Sequence, residues 1–232
     1  PYTTLFRSYT NTKGETHRNL VADIAMHVVL HAHYHRGQIA AVIIEPYCGN
    51  VGFIMPDPGY LAYLREITSR NGTVLIFDEV MTGFGRTGRM FACEHAAISP
   101  DVICLSKGLT AGYMPLGATV VSEPVYQAFL SDDRTRTFFH GHSFTANPLA
   151  CAVALESLKM FADEDVMGRV RRLEAWLRAG LTGMSKLKAV GDVRVIGGVG
   201  VLELVSDRRK KSAGGYLDNI GPRLTQAFLD RG

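Results

Sequence analysis

VLIFDEVMTGFGRTGRMFACEHAAISPDVICLSK, residues Val74 to Lys107, is the stretch whose reading decides the fold. Its two apolar runs, Val74–Phe77 and Val102–Leu105, have the length and β-branched content of buried strands. Each run ends in polar groups, Asp78 after the first and Ser106-Lys107 after the second. In an open α/β sheet ligands gather at the carboxyl ends of the strands. An acid and a lysine brought to one edge by separate strands suit pyridoxal phosphate. The lysine can hold the cofactor as a Schiff base, and the acid can keep the pyridine nitrogen protonated so that the ring accepts electrons.

Between the two strands lies TGFGRTG (Thr82–Gly88), with three glycines and two threonines in seven residues. It is not G-x-G-x-x-G and opens no helix, so it reads as an irregular loop at the ligand edge and not as a dinucleotide fingerprint. Adjacent carboxylates leaving a strand, here Asp78-Glu79, are ordinarily a solvated strand end. The glycine-rich loop behind them argues for more.

Upstream, IAAVIIE (Ile39–Glu45) is an apolar run ending in Glu45-Pro46, as expected of a central parallel strand buried on both faces. Gly59 to Asn71 predicts an amphipathic helix with Leu61, Leu64 and Ile67 inward. Strand, helix and strand make a right-handed βαβ unit, which places Glu45 and Asp78 on one edge. Downstream, Gly108 and Gly112 leave room for close backbone approach around Lys107, and Gly117–Ser122 reads as another strand. TFFHGHSFTANP (Thr137–Pro148) puts hydroxyls and backbone N–H groups ahead of the helix LACAVALESLKMF, a candidate phosphate cup.

The pattern then changes. Val166 to Lys186 predicts a helix with Val166, Val170, Leu173, Leu177 and Leu181 on one stripe, and Trp176 at its edge is expected to pack. Val193–Ile196 and Val199–Val205 flank Gly197-Gly198 as a hairpin, and Tyr216 to Asp230 predicts a last helix. The fold class expected is α/β: a mostly parallel sheet flanked by helices, then part of a small α+β lobe. Residues 1–8 are set aside as foreign or unstructured, and Tyr9 to Asn19 reads as loop. Residues 9–160 form the large domain, and 161–232 the linking helix and start of the small one.

Composition narrows the class. Of 232 residues 47% are hydrophobic, enough for a sizeable core, and the net charge of +3 carries no basic stripe for nucleic acid. Cys48, Cys93, Cys104 and Cys151 contain no C-x-x-C pair and read as reduced core thiols of a cytoplasmic protein. No apolar run reaches the ~18 residues of a membrane span. His27, His31, His33 and His35 fall on a helix expected from Leu20 to His35. Without an acidic neighbour they read as a solvated helix end, and no metal is expected.

At these motifs the chain resembles the class III (ω-type) aminotransferases of the fold-type I pyridoxal phosphate enzymes. IIEP, LIFDEVMTGFGRTG, PDVICLSKGL, PLGATV and HGHSFTANPLAC occur in the family's order over roughly residues 37–232. GRMFACEHAAISPDVICLSKGLT, HGHSFTANPLACAVAL and DVRVIGGVGVLEL resemble most the branch serving biotin synthesis, which uses S-adenosylmethionine as donor and 8-amino-7-oxononanoate as acceptor. The resemblance implies Lys107 as the Schiff-base lysine and Asp78 as the pyridinium partner. It implies Val80 against the ring face and Glu45 as a strand-end acid near the cofactor. Ser143 would reach the phosphate of the neighbouring subunit's cofactor, with His142 and Gly141 as adjoining phosphate- and substrate-contacting backbone. A homodimer follows.

The loop after IIEP reads YCGNVGF where the family often has a Gln-Gly-x-Gly type. The family's first Gly-Ser phosphate turn and ring-stacking aromatic would lie upstream of residue 1, and its carboxylate-binding arginine beyond Gly232. The chain is therefore expected to be the middle of a longer enzyme. Other readings stay open: a class III enzyme with a diamine, ω-amino acid or lysine donor; a relative doing racemisation or decarboxylation; or an inactive fragment.

Overall fold

The computed structural model describes residues 6–10, 16–20, 41–207, 212–213 and 220–231. Its centre is a four-stranded sheet, β3 (Ala41–Ile44), β4 (Val74–Asp78), β5 (Val102–Leu105) and β6 (Ala118–Val121), in that spatial order. β3, β4 and β5 run parallel, and β6 closes the edge antiparallel to β5. The mostly parallel sheet with flanking helices is the one expected.

Alternation along β4 explains how the sheet is seated. Leu75 and Phe77 are fully buried, packed with Leu61 and Leu64 of α1 (Tyr60–Arg70) and with Cys93. The helix stops where Asn71 Nδ2 donates to the Ile67 carbonyl at 2.7 Å and Gly72 turns the chain at φ +61°. Asp101 pins the opposite, amino end of the sheet. Its Oδ2 accepts from Leu75 N at 2.7 Å and from Arg65 Nη1 at 2.9 Å, joining β4, β5 and α1.

β3 departs from expectation. Among the described residues it lies at the sheet edge, and Ile43 is 70% exposed. An apolar run tells that a strand is covered on both faces, but not which element of the assembled protein covers it. The amino-terminal reading is also corrected. Residues Phe6–Thr10 (β1) and Thr16–Leu20 (β2) pair antiparallel, where loop and unstructured chain were expected. Pairing with a partner strand outweighs the weak local pattern there. The histidine-bearing helix lies outside the described residues from 21 onward.

After β6 come a short helix, α2 (Glu123–Gln127), then α3 (Pro148–Asp163) and α4 (Val166–Leu181). The 160/161 boundary thus falls within α3. α3 packs on the turn that follows Lys107: Phe84, Leu105, Leu109 and Ala154 form one buried cluster. α4 covers β7 (Val190–Ile196) and β8 (Val199–Asp207), an antiparallel hairpin extended by β9 (Ser212–Ala213). Leu177 and Leu181 close over Gly200, where an added Cβ would lie 2.5 Å from Leu181 Cδ1. Trp176 is 72% exposed and does not pack as expected. The last helix, α5, spans Ile220–Leu229. None of the four cysteines forms a disulfide among the described residues; Cys93 is buried, but Cys48 is exposed and is not the core thiol expected.

Candidate active site

The carboxyl edge of the sheet is assembled by three strand ends. In register, Ile44 pairs with Phe77 and Asp78 with Cys104. Glu45, Asp78 and Ser106-Lys107 therefore leave the sheet on the same side, as the parallel order requires.

Asp78 is half-buried, and its Oδ1 accepts from Val80 N at 3.0 Å. This short loop fixes the carboxylate's orientation while Oδ2 has no hydrogen-bond partner among the described residues. The Cys104 thiol is pushed up, by burial first and then by the Asp78 charge. Lys107 opens a 3₁₀ turn, Lys107–Thr110, with its own φ at +42°. A lysine in the left-handed region is an unfavourable backbone state that persists only where its surroundings fix it, and such residues gather at functional sites. Here Ser106 Oγ donates to the Leu116 carbonyl at 2.7 Å, Leu109 N to Ser106 O at 3.0 Å and Thr110 Oγ1 to Met114 O at 2.6 Å. The glycine beside the lysine is required by packing: a Cβ on Gly108 would come 2.7 Å from Phe84 Cβ. The Lys107 side chain itself is exposed and makes no hydrogen bond or ion pair among the described residues. A fixed backbone and a free amine are what a covalent lysine needs.

Glu79 is the residue that sequence reasoning underrated. It is not a solvated strand end but fully buried, at 0% exposure. Its carboxylate accepts from Thr82 Oγ1 at 2.6 Å, Ala92 N at 2.8 Å and Cys93 N at 2.8 Å. One side chain thereby ties the start of the TGFGRTG loop, at Thr82, and the turn beyond it, at Ala92-Cys93, to the end of β4. Three donors to the charged form offset the loss of hydration. The Cys93 thiol is pushed up to about 12, chiefly by burial and then by Glu79, and burial and Glu79 also raise Tyr47. Glu79→Ala orphans two buried N–H groups and should cost about 3–5 kcal/mol. Urea unfolding of wild type and variant measures this; a loss under about 1 kcal/mol would contradict the role.

Glu45 Oε2 accepts from Gly49 N at 3.1 Å. Glu45 lines a cavity of about 550 Å³ together with Ile54, Met55, Tyr60 and Tyr63, and that lining includes neither Asp78 nor Lys107. Val80 is half-buried beside Asp78. The phosphate-cup loop is only partly available. His142 N donates to Thr145 Oγ1 at 2.9 Å, and Phe144 N to His142 Nδ1 at 3.1 Å. Asn147 Oδ1 caps α3 by accepting from Leu149 N and Ala150 N. Gly141, His142 and Ser143 are exposed, and no described hydrogen bond or ion pair joins them to Asp78 or Lys107. Phe138, Phe139 and Phe144 are exposed around them. Among the described residues no group of three or more metal-ligating side chains occurs.

This sheet, with an acid and a lysine delivered to its carboxyl edge, is the large-domain arrangement of the fold-type I pyridoxal phosphate enzymes. The sequence matches the family described as aminotransferase class-III over residues 5–232, and the chain belongs to that family. It is similar to a protein of Synechococcus elongatus named adenosylmethionine-8-amino-7-oxononanoate aminotransferase, 48% identical over 197 residues, covering 84% of this chain and 45% of that one. A structure of the like-named protein from Methanocaldococcus jannaschii superposes with a TM-score of 0.82 at 34% identity, covering 88% of this chain and 48% of that one. An (S)-enantioselective omega-transaminase from Thermomicrobium roseum gives 0.83 at 34% identity, over 91% and 47%. The chain spans about half the length of the curated relatives it matches. Class-III aminotransferases depend on pyridoxal phosphate.

Proposed function

We propose that this chain carries the cofactor-binding part of a pyridoxal 5′-phosphate-dependent aminotransferase of biotin biosynthesis. The enzyme moves the amino group of S-adenosylmethionine onto 8-amino-7-oxononanoate to give 7,8-diaminononanoate. The observation that carries the transaminase reading is the placement of Asp78 and Lys107 on one sheet edge, with the lysine amine free and its backbone held. The donor and acceptor follow from the names of the similar proteins.

The residues present fit the cofactor: an oriented carboxylate with an open oxygen and an exposed, unpaired lysine on a fixed backbone. When bound, the cofactor supplies an electron sink for a carbanion at the donor's α-carbon. Lys107 Nζ would hold it covalently, and the same amine would serve to take the substrate's α-proton as base and return it as acid. Asp78 Oδ2 would keep the ring nitrogen protonated, and Val80 would serve as the apolar contact for the ring. Glu45 borders the same edge. Residues 9–160 supply this site, and residues from 161 lead into the smaller lobe.

Ser143, with His142 and Gly141, serves the phosphate and substrate of a neighbouring subunit. The support is exposure: a loop whose polar groups face outward among exposed phenylalanines fits a subunit contact better than an isolated surface. The whole protein acts as a homodimer in the cytoplasm. No helix among the described residues is long and apolar enough to cross a membrane.

A second reading keeps the chemistry and changes the donor. The Thermomicrobium roseum omega-transaminase is as similar in structure as the adenosylmethionine-named one. A donor panel on the whole, cofactor-loaded protein separates them. S-adenosylmethionine should bleach the visible cofactor band at least about tenfold faster than diamines, lysine or β-alanine, a preference of ~1.4 kcal/mol. Bleaching by those amines but not by S-adenosylmethionine would transfer the chain to the second reading.

A further inference from the structure

The loop that departs from the family pattern, Tyr47–Phe53, turns out to be held from two sides. From within, Gly49 N donates to Glu45 Oε2 at 3.1 Å, and Cys48 and Ile54 exchange backbone hydrogen bonds of 3.2 and 3.3 Å. From outside, Arg194 of β7 reaches across 142 residues of sequence, and its Nη2 donates to the Gly52 carbonyl at 2.8 Å. Gly52 is shaped for that contact. Its φ of +91° is a glycine conformation, and a Cβ there would lie 3.3 Å from Arg194 Nη2.

The guanidinium is itself oriented. Nη1 donates to Asp192 Oδ2 at 2.5 Å and to Glu203 Oε2 at 2.8 Å, and the side chain is 17% exposed. Its Nε is buried without a partner among the described residues, a penalty the fold tolerates to put the fork where it is. The hairpin carrying Arg194 is seated beside the candidate site at a second point. Gly198 N donates to the Arg86 carbonyl at 2.9 Å, and a Cβ on Gly197 would sit 2.2 Å from Gly88 N. Ile196, Val199 and Val201 pack with Tyr47, Phe53 and Ala92. The β7–β8 hairpin thus grips the loops that follow β3 and β4 at the carboxyl edge of the sheet.

We infer that Arg194 is a positioning residue: through the Gly52 carbonyl it fixes the loop whose Gly49 amide orients Glu45, coupling the seating of the carboxy-terminal hairpin to the carboxyl edge of the sheet, where substrate would bind. The effect on substrate rests on the aminotransferase reading; the fastening of the loop does not. Arg194→Lys separates the parts, because one ammonium can keep Asp192 and Glu203 as partners but cannot also serve Gly52.

The test is made on the whole protein, with and without cofactor. In the cofactor-free protein, Arg194→Lys should speed amide hydrogen exchange in residues 48–54 by about tenfold while residues 74–78 keep wild-type protection. In the cofactor-loaded protein it should raise the donor KM about tenfold, with kcat, the cofactor band and the melting temperature (to within about 4 °C) kept. Unchanged exchange in 48–54 overturns the fastening. Faster exchange with an unchanged KM overturns the coupling, as does a KM change that appears only with loss of cofactor or a collapsed melting temperature. A wild-type protein that transaminates nothing, yet shows the exchange difference, refutes the aminotransferase reading and leaves the fastening standing.

Discussion

Lys107→Ala abolishes transamination, with turnover falling by more than about 10³-fold. The size follows from two losses at one atom. On the proposed mechanism Nζ would be both the covalent holder of the cofactor and the group that moves the α-proton, and positioned acid–base catalysis alone is worth about 10²–10⁴-fold. The fold should not notice. Lys107 is exposed, makes no hydrogen bond or ion pair among the described residues, and alanine meets the same φ of +42° that lysine already tolerates. Wild-type unfolding with no turnover is therefore the expected pair of results. Partial recovery on adding a small primary amine would show that a missing base, not a collapsed site, is the cause. Retained turnover would remove Lys107 from the chemistry.

Asp78→Asn keeps cofactor binding but loses about 10²–10³ in rate, the range set by removing one charged group that stabilises a transition state. An amide oxygen can still accept from Val80 N, as Asp78 Oδ1 does at 3.0 Å, so the loop geometry survives. What goes is the negative charge that, on the proposed mechanism, would hold a proton on the ring nitrogen. The loss should therefore lie in kcat and in single-turnover rates, with little change in cofactor affinity. A near-normal rate would mean that another group protonates the ring.

The strand ends that carry the candidate site were legible in the sequence because their signals are local. Val74–Phe77 and Val102–Leu105 are short apolar runs with polar tips, and strand ends are where parallel sheets present chemistry. Asn147-Pro148 marked the start of α3, and Gly197-Gly198 the turn between β7 and β8, since both are set by residues within one turn. Residues whose partners are distant were not legible. Glu79 looks like any acid after a strand until Ala92 and Cys93, thirteen and fourteen residues on, turn their amides toward it. The threonine three residues after Glu79 was the one available hint. Arg194 carried no signal at all, because the carbonyl it meets belongs to a glycine 142 residues away. Edge exposure of β3 and Trp176 was equally hidden: apolarity states that a surface wants cover without saying what supplies it.

The central claim is that Lys107 is the residue that holds the cofactor. The most direct measurement loads the whole protein with pyridoxal phosphate, reduces it with borohydride, and maps the modified peptide by mass spectrometry. The account predicts one label, on Lys107, absent when the reductant is omitted or when Lys107 is replaced by alanine. A label on any other lysine, or no reducible label in a protein that has bound the cofactor, would contradict it.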